Sequence, residues 1–249
     1  MRVESLWRYP VKSMQGEVCD ELTVVASGVA GDRGFGVLNL ATGTVISAKR
    51  DGRLLAASAS LRDGELFVRL PDGPELGPGD VLDASLTNWL GQPVRLVDAS
   101  SHGVATFQGQ EDFEEDDSSS EEWEGTNGSF VDESPLHLLT TADLELLSSE
   151  RPDLQWNVRR FRPNVVVDAS AGALDQVESG QRIQIGEVEI EIWKGCTRCV
   201  MTTRVQPDGL ERQLDVLRHV IKSHDNVVGL RARVVRTGAV HVDDPVSLI

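Results

Sequence analysis

Lysine is scarce in this chain. Lys12, Lys49, Lys194 and Lys222 are the whole lysine complement, and even with arginine the 24 basic residues face 40 Asp and Glu, for a net charge of −16. A chain this acidic is a poor nucleic-acid binder, since such binding rests on a basic surface. Cysteine is equally sparse, with only Cys19, Cys196 and Cys199. An odd number with one close pair is not the disulfide framework of a secreted protein and reads as reduced thiols. No apolar run approaches the roughly 18 residues a membrane helix needs, and Met1 to Pro10 has no apolar stretch long enough for a secretory signal. The cytoplasm is the expected compartment. Aromatic residues make up 5% of the chain, while 23 Gly and 10 Pro imply many turns, which favours short strands over a helical bundle.

The segments present are mostly strands. Val3–Leu6 and Glu21–Val25 open the chain. Phe35–Leu40 with Thr44–Ser47, and Leu54–Leu61 with Glu65–Leu70, read as hairpins around Thr42-Gly43 and Asp63-Gly64. Asp83–Leu90 fits a short helix with Asp83 as N-cap and Gly91 past its end. Residues 108–128 are acidic and Ser-rich and read as a solvated loop between two parts of the fold; a docking strip for a basic electron-transfer partner, or a lid, is the alternative. Ser134–Leu139 leads into Thr140-Thr141-Ala142-Asp143, a capping-box pattern that starts a helix running to Glu150. Asn164–Val167 is a strand, and Arg182–Ile185 with Val188–Ile192 a hairpin. Leu210, Leu214, Leu217 and Ile221 recur at helical spacing, so Gly209–His224 holds an amphipathic helix. Gly229–Val235 and Val246–Leu248 finish as strands. Strands and helices do not alternate regularly, so a mixed α/β, strand-rich fold of barrel-like parts is expected rather than a doubly wound sheet.

Chemistry concentrates in Gly195-Cys196-Thr197-Arg198-Cys199. A Cys-x-x-Cys pair can be half of a zinc site, a redox dithiol, a single metal thiolate with a bystander, or packing. His219 and His224 are spaced as zinc partners, but the apolar stripe of their helix accounts for them without metal. A redox dithiol wants a βαβ context that is missing here. A single soft thiolate for a soft metal remains, and the adjacent cation of Arg198 suits it. Three further loops each carry a cation at a strand end: Lys12-Ser13, Arg33 in Gly31-Asp32-Arg33-Gly34, and Arg159-Arg160-Phe161-Arg162-Pro163-Asn164. Four such loops in an acidic chain suggest one anionic ligand held by convergent loops.

YPVKS, GDRGF, SPLHLLTTADL, RFRPN, CTRCVMTT and VDDPVSL follow one another in this order across nearly the whole chain. Together they resemble the MOSC family (molybdenum cofactor sulfurase C-terminal type) with its β-barrel N-terminal domain, among whose members are the amidoxime-reducing components and their bacterial counterparts. The resemblance implies an N-terminal β-rich domain over residues 1–110 and a MOSC-type β-barrel core over 111–249. It implies molybdenum cofactor as ligand, with Cys199 as the protein thiolate on molybdenum, Thr197 and Arg198 against the pterin, and Lys12, Ser13, Arg33, Thr141, Arg162 and Asn164 as further contacts. Thr197 stands where some relatives carry Ser, which keeps the hydroxyl. The implied reaction is reduction of an N-hydroxylated small molecule, with Asp132 as a proton carrier or supporting group. No ferredoxin-like cysteine set follows the MOSC motifs, so electrons are expected from a separate flavin, haem or iron–sulfur protein. The chain has no room for a pyridoxal-phosphate desulfurase domain. The alternative is a cofactor-binding or sulfur-carrier module without turnover of its own.

Overall fold

The structure, a computed structural model, describes residues 1–110, 112–115, 118–125, 128–170 and 177–249. Its largest element is an eight-stranded sheet in the order Val246–Leu248, Arg182–Ile185, Val188–Thr197, Val227–Arg236, Leu136–Thr140, Val165–Asp168, Arg2–Arg8 and Glu17–Cys19. Neighbours are antiparallel except Leu136–Thr140 and Val165–Asp168, which run parallel. A parallel pair needs a crossover, and helix Thr141–Glu150 supplies it. The expected capping box starts that helix: Thr140 Oγ1 accepts from Asp143 N–H at 2.9 Å, and the Asp143 carboxylate accepts from Thr140 N–H at 2.8 Å.

Alternation sets the buried face. In Val188–Thr197, Val188, Ile190 and Ile192 are buried while Glu189 and Glu191 are half-exposed. Ile183 and Ile185 of the partner strand join them in one apolar core. A second apolar core collects Val37, Leu54, Leu55, Val68, Leu82 and Leu86 from the first half of the chain. The N-terminal strand Arg2–Arg8 pairs with Val165–Asp168, so the first residues of the chain complete the sheet built mainly by the second half.

Several expectations move. The helix after Gly79 spans Asp80–Leu90, and its N-cap is Gly79, not Asp83. Asp83 instead accepts from Leu96 N–H at 2.8 Å, tying the helix to the strand that follows it. Gly52–Ala56 is a 3-10 helix capped by Asp51, so the expected strand at Leu54 begins only at Ser58. Ser58–Arg62 and Glu65–Arg69 do form a hairpin around Asp63 and Gly64, with φ of 52° and 81°, the left-handed pair that a tight hairpin needs. Phe35–Asn39 pairs along its length with Val94–Asp98 and meets the Thr44–Ser47 segment only at the Leu38–Val45 bridge. The last helix is Leu214–Ser223, shorter than the apolar spacing suggests. The acidic stretch is not simply a loop: Thr106–Gln110 pairs antiparallel with Ser120–Glu124, placing Phe107 opposite Trp123. Residues 111, 116, 117, 126 and 127 of that stretch lie outside the described residues. No described helix is long and apolar enough to cross a membrane.

Candidate functional site

A cavity of ≈ 770 Å³ opens where the eight-stranded sheet meets the first half of the chain. Its lining includes Lys12, Ser13, Arg33, Asp132, Arg162, Asn164, Thr197, Arg198 and Cys199. The loops singled out in the sequence therefore converge on one space. Thr141 is the exception, for it is absent from the lining and its hydroxyl lies 3.4 Å from the Ala169 carbonyl oxygen.

The backbone records how the loops were shaped. Nine described residues other than glycine have positive φ, and six of them are Asp or Asn, which tolerate this region. The other three are Ser13 (φ 69°), Arg33 (φ 47°) and Arg162 (φ 55°). All three line the cavity. Left-handed backbone at such residues stores strain and collects at functional sites. Arg162 is the C-cap of the short helix Val158–Phe161, so its conformation also ends that helix.

The charges are arranged in two groups. In the first, Asp132 lies between two lysines, with Lys12 Nζ at 2.5 Å and Lys49 Nζ at 3.1 Å. Lys12 also donates to the Phe130 carbonyl at 2.8 Å and sits 3.9 Å above the Phe107 ring. Burial opposes the charge of each member. For Asp132 the two ammonium groups outweigh it and hold the carboxyl well below the usual range. For Lys12 burial wins over Asp132, and its pKa falls to about 8. Asp132 is thus a fixed acceptor, and a carboxylate held ionised in this way does not release a proton near neutral pH. Lys12 does titrate there.

In the second group the positive charge is not balanced. Arg33 pairs with Asp32, yet Arg162, stacked 4.2 Å over the Tyr9 ring beside it, donates among the described residues only to the Met14 carbonyl, at 2.6 Å. Burial, and next the Arg33 charge, lower the Arg162 pKa to about 10. Arg198 donates to the Phe161 carbonyl at 3.0 Å and the Val228 carbonyl at 2.9 Å, and its Nη2 meets His137 Nε2 at 2.5 Å. His137 is held neutral, first by burial and then by Arg198, so its Nε2 accepts. Arg160 is 1% exposed and donates to the carbonyls of Gln155, Thr202, Arg204 and Glu211. Among the described residues, Arg160, Arg162 and Arg198 form no ion pair. Buried cations left with neutral partners alone are costly unless an anion completes the set.

Cys199 begins the 3-10 turn Val200–Thr203, and its carbonyl accepts from Thr202 N–H at 3.1 Å and Thr202 Oγ1 at 2.9 Å. That locks the backbone and leaves the half-buried thiol at the cavity wall. Cys196 is different: it is buried, burial raises its pKa, and Arg231 Nε lies 3.4 Å from its sulfur. Gly229, with φ of 77°, lets the next strand close on this wall: a Cβ there would lie 2.5 Å from the Leu138 carbonyl oxygen and 2.7 Å from His137 Nε2. Lys49 and Arg231 lie outside the loops and motifs that the sequence marks, His137 sits in one without being marked as a ligand contact, and Arg160 is marked only as part of its loop. The scarcity of lysine flagged Lys49; His137 and Arg231 are assigned only by the pairing of their strands.

The sequence matches the MOSC N-terminal beta barrel domain over residues 1–110 and the MOSC domain over residues 125–247. The chain belongs to the MOSC family. Among its relatives, Mitochondrial amidoxime-reducing component 1 of Homo sapiens is 27% identical over 292 residues, covering 99% of this chain and 82% of that protein. Mitochondrial amidoxime reducing component 2 of Rattus norvegicus is 27% identical over 289 residues, covering 98% and 82%. The crystal structure of the YUAD protein from Bacillus subtilis superposes with a TM-score of 0.52 at 12% identity, covering 98% of this MOSC chain and 93% of that one. That likeness concerns the fold alone.

Proposed function

We propose that this MOSC protein binds molybdenum cofactor in the basic cavity, with Cys199 as the thiolate ligand, and reduces N-hydroxylated small molecules with electrons from a separate protein. One observation carries the reading: three buried guanidinium groups without a counter-anion share a cavity wall with a thiol that has no hydrogen-bond partner among the described residues. An anionic group with a phosphate and a soft-metal centre fits that donor set, since planar guanidinium suits phosphate and thiolate suits the metal.

Arg162 and Arg33 would hold the anionic end, and Asn164, whose Oδ1 accepts from His137 N–H at 3.3 Å and lies 3.5 Å from Arg33 Nη1, ties Arg33 to strand Leu136–Thr140. Arg198 and Thr197 would flank the pterin. The cofactor supplies the two-electron chemistry that removes oxygen from nitrogen. The chain positions the substrate and manages protons. Lys12 Nζ, with its lowered pKa of about 8, is the group placed to hold and yield a proton, and Asp132 orients it. Trp123, 4.0 Å from Lys49 Nζ, also lines the cavity. Glu121, Glu122 and Glu124 are exposed on the hairpin strand that carries Trp123, a surface suited to a basic flavin, haem or iron–sulfur donor.

The test is turnover of benzamidoxime by molybdenum-loaded protein supplied with a chemical reductant. Benzamidine formed in proportion to molybdenum content supports the reductase. Full molybdenum content without amidine would leave a cofactor or sulfur carrier in its place.

A further inference from the structure

Away from the cavity, the ends of two helices bring three ligand-type side chains together. Glu150 closes helix Thr141–Glu150, His219 lies on helix Leu214–Ser223, and His224 is the C-cap of that second helix. Both imidazole Nε2 atoms lie 2.7 Å from the same Glu150 Oε2. The side chains are held rather than loose, with 12%, 19% and 33% exposure for His219, His224 and Glu150. The two imidazoles meet edge to face at 5.6 Å, and the Trp156 ring backs His219 at 5.8 Å. Sequence spacing alone allowed His219 and His224 to share a metal with the cysteine pair; the structure gives them Glu150 as partner instead.

The electrostatics ask for a cation. Glu150 is the last residue of its helix, and no basic residue occupies that last turn. A helix C-terminus carries partial negative charge, so a carboxylate there is unfavourable by itself. The end of the second helix adds a further set of terminal carbonyls. Two imidazoles and one carboxylate converging on such a point form a three-ligand N/O set, the kind that water commonly completes as a fourth ligand.

We propose that Glu150, His219 and His224 form a binding site for a divalent transition-metal ion of the zinc type, separate from the cavity. The ion replaces the two hydrogen bonds to Glu150 with three coordinate bonds and clamps the two helix ends. Behind the clamp, Trp156 stacks on Phe161 at 6.4 Å, and the Phe161 carbonyl holds Arg198. The clamp therefore braces the back of the cavity wall.

The experiment titrates Co²⁺ into the chelator-treated full chain while following visible absorption. The expected result is a d–d spectrum without sulfur-to-cobalt charge transfer, bleached by Zn²⁺. Zinc at about 100 times its Kd should raise the melting temperature by roughly 5 °C. The His219→Gln/His224→Gln variant should lose both responses, and Cys196→Ser/Cys199→Ser should keep them. Glu150→Gln, which preserves the shape and a hydrogen-bonding oxygen, supplies a second arm and should also lose the spectrum. Absence of any cobalt spectrum in the unaltered chain overturns the proposal. So does a charge-transfer band that survives the histidine changes and vanishes with the cysteines.

Discussion

Val165 and Val167 point into the apolar core under the eight-stranded sheet, whereas Asn164, one residue earlier, lines the cavity. Leu138 and His137 divide in the same way on the next strand, as do Ile192 and Cys196 on a third. The same strands thus build two regions on opposite rules. Among the described residues the core gathers eighteen buried apolar side chains. The cavity buries Lys12, Arg160, Arg162 and Arg198 and bends Ser13, Arg33 and Arg162 into left-handed backbone. One region stores stability, and the other spends part of it on a binding site.

The largest effect that would sharpen this contrast is functional. Cys199→Ser should abolish benzamidoxime reduction, while Cys196→Ser should retain most of it; equal loss in both would remove the single-ligand assignment. Next, Ile190→Ala should destabilise the cofactor-free chain by about 3 kcal/mol in urea unfolding, through lost burial and a cavity. Arg162→Met should be neutral or stabilising by about 1 kcal/mol in the same measurement, since it removes a buried unpaired charge, yet it should weaken cofactor retention. A large loss of stability in Arg162→Met would erase the distinction between the two regions.

The pH response separates them further. The folded pKa of Lys12, about 8, lies below its ordinary value of 10.5, so the unfolded chain binds more protons between these values. Its contribution to stability therefore rises from pH 8 to 10.5, to roughly 3 kcal/mol at most. Anion affinity of the cavity should begin to fall as the pH rises through about 8, where the folded Lys12 loses its charge. Lys12→Met should flatten both responses. The smallest effect expected is Thr140→Ala, which removes one side of a capping box and should cost about 1 kcal/mol of stability without touching the cavity.

Local chemistry made much of this legible in the sequence. The capping box at Thr140, the hairpin at Asp63-Gly64 and the strand pair around Gly186-Glu187 each depend on residues a few positions apart. Most of the residues that line the cavity were legible because they sit in short motifs, although Thr141 sits in one and lies outside the lining, and Asp132 lines the cavity from outside any of them. The long-range partners were not. Lys12 meets Asp132 across 120 positions, and Arg162 meets Met14 across 148. Nothing in Gly79 or Asp83 announces that Asp83 lies inside the first turn and accepts from Leu96 N–H. Acidic composition hid the strand Ser120–Glu124, whose inward residue is Trp123, opposite Phe107.

The central claim is that the cavity holds a molybdenum-bearing pterin on Cys199. Elemental mass spectrometry on protein made in a host able to synthesise the cofactor tests it most directly. Near-stoichiometric molybdenum is expected in the unaltered chain and in Cys196→Ser, released together with pterin on denaturation, with a loss of both in Cys199→Ser. Molybdenum-free protein from a competent host, with the cavity intact, would contradict it.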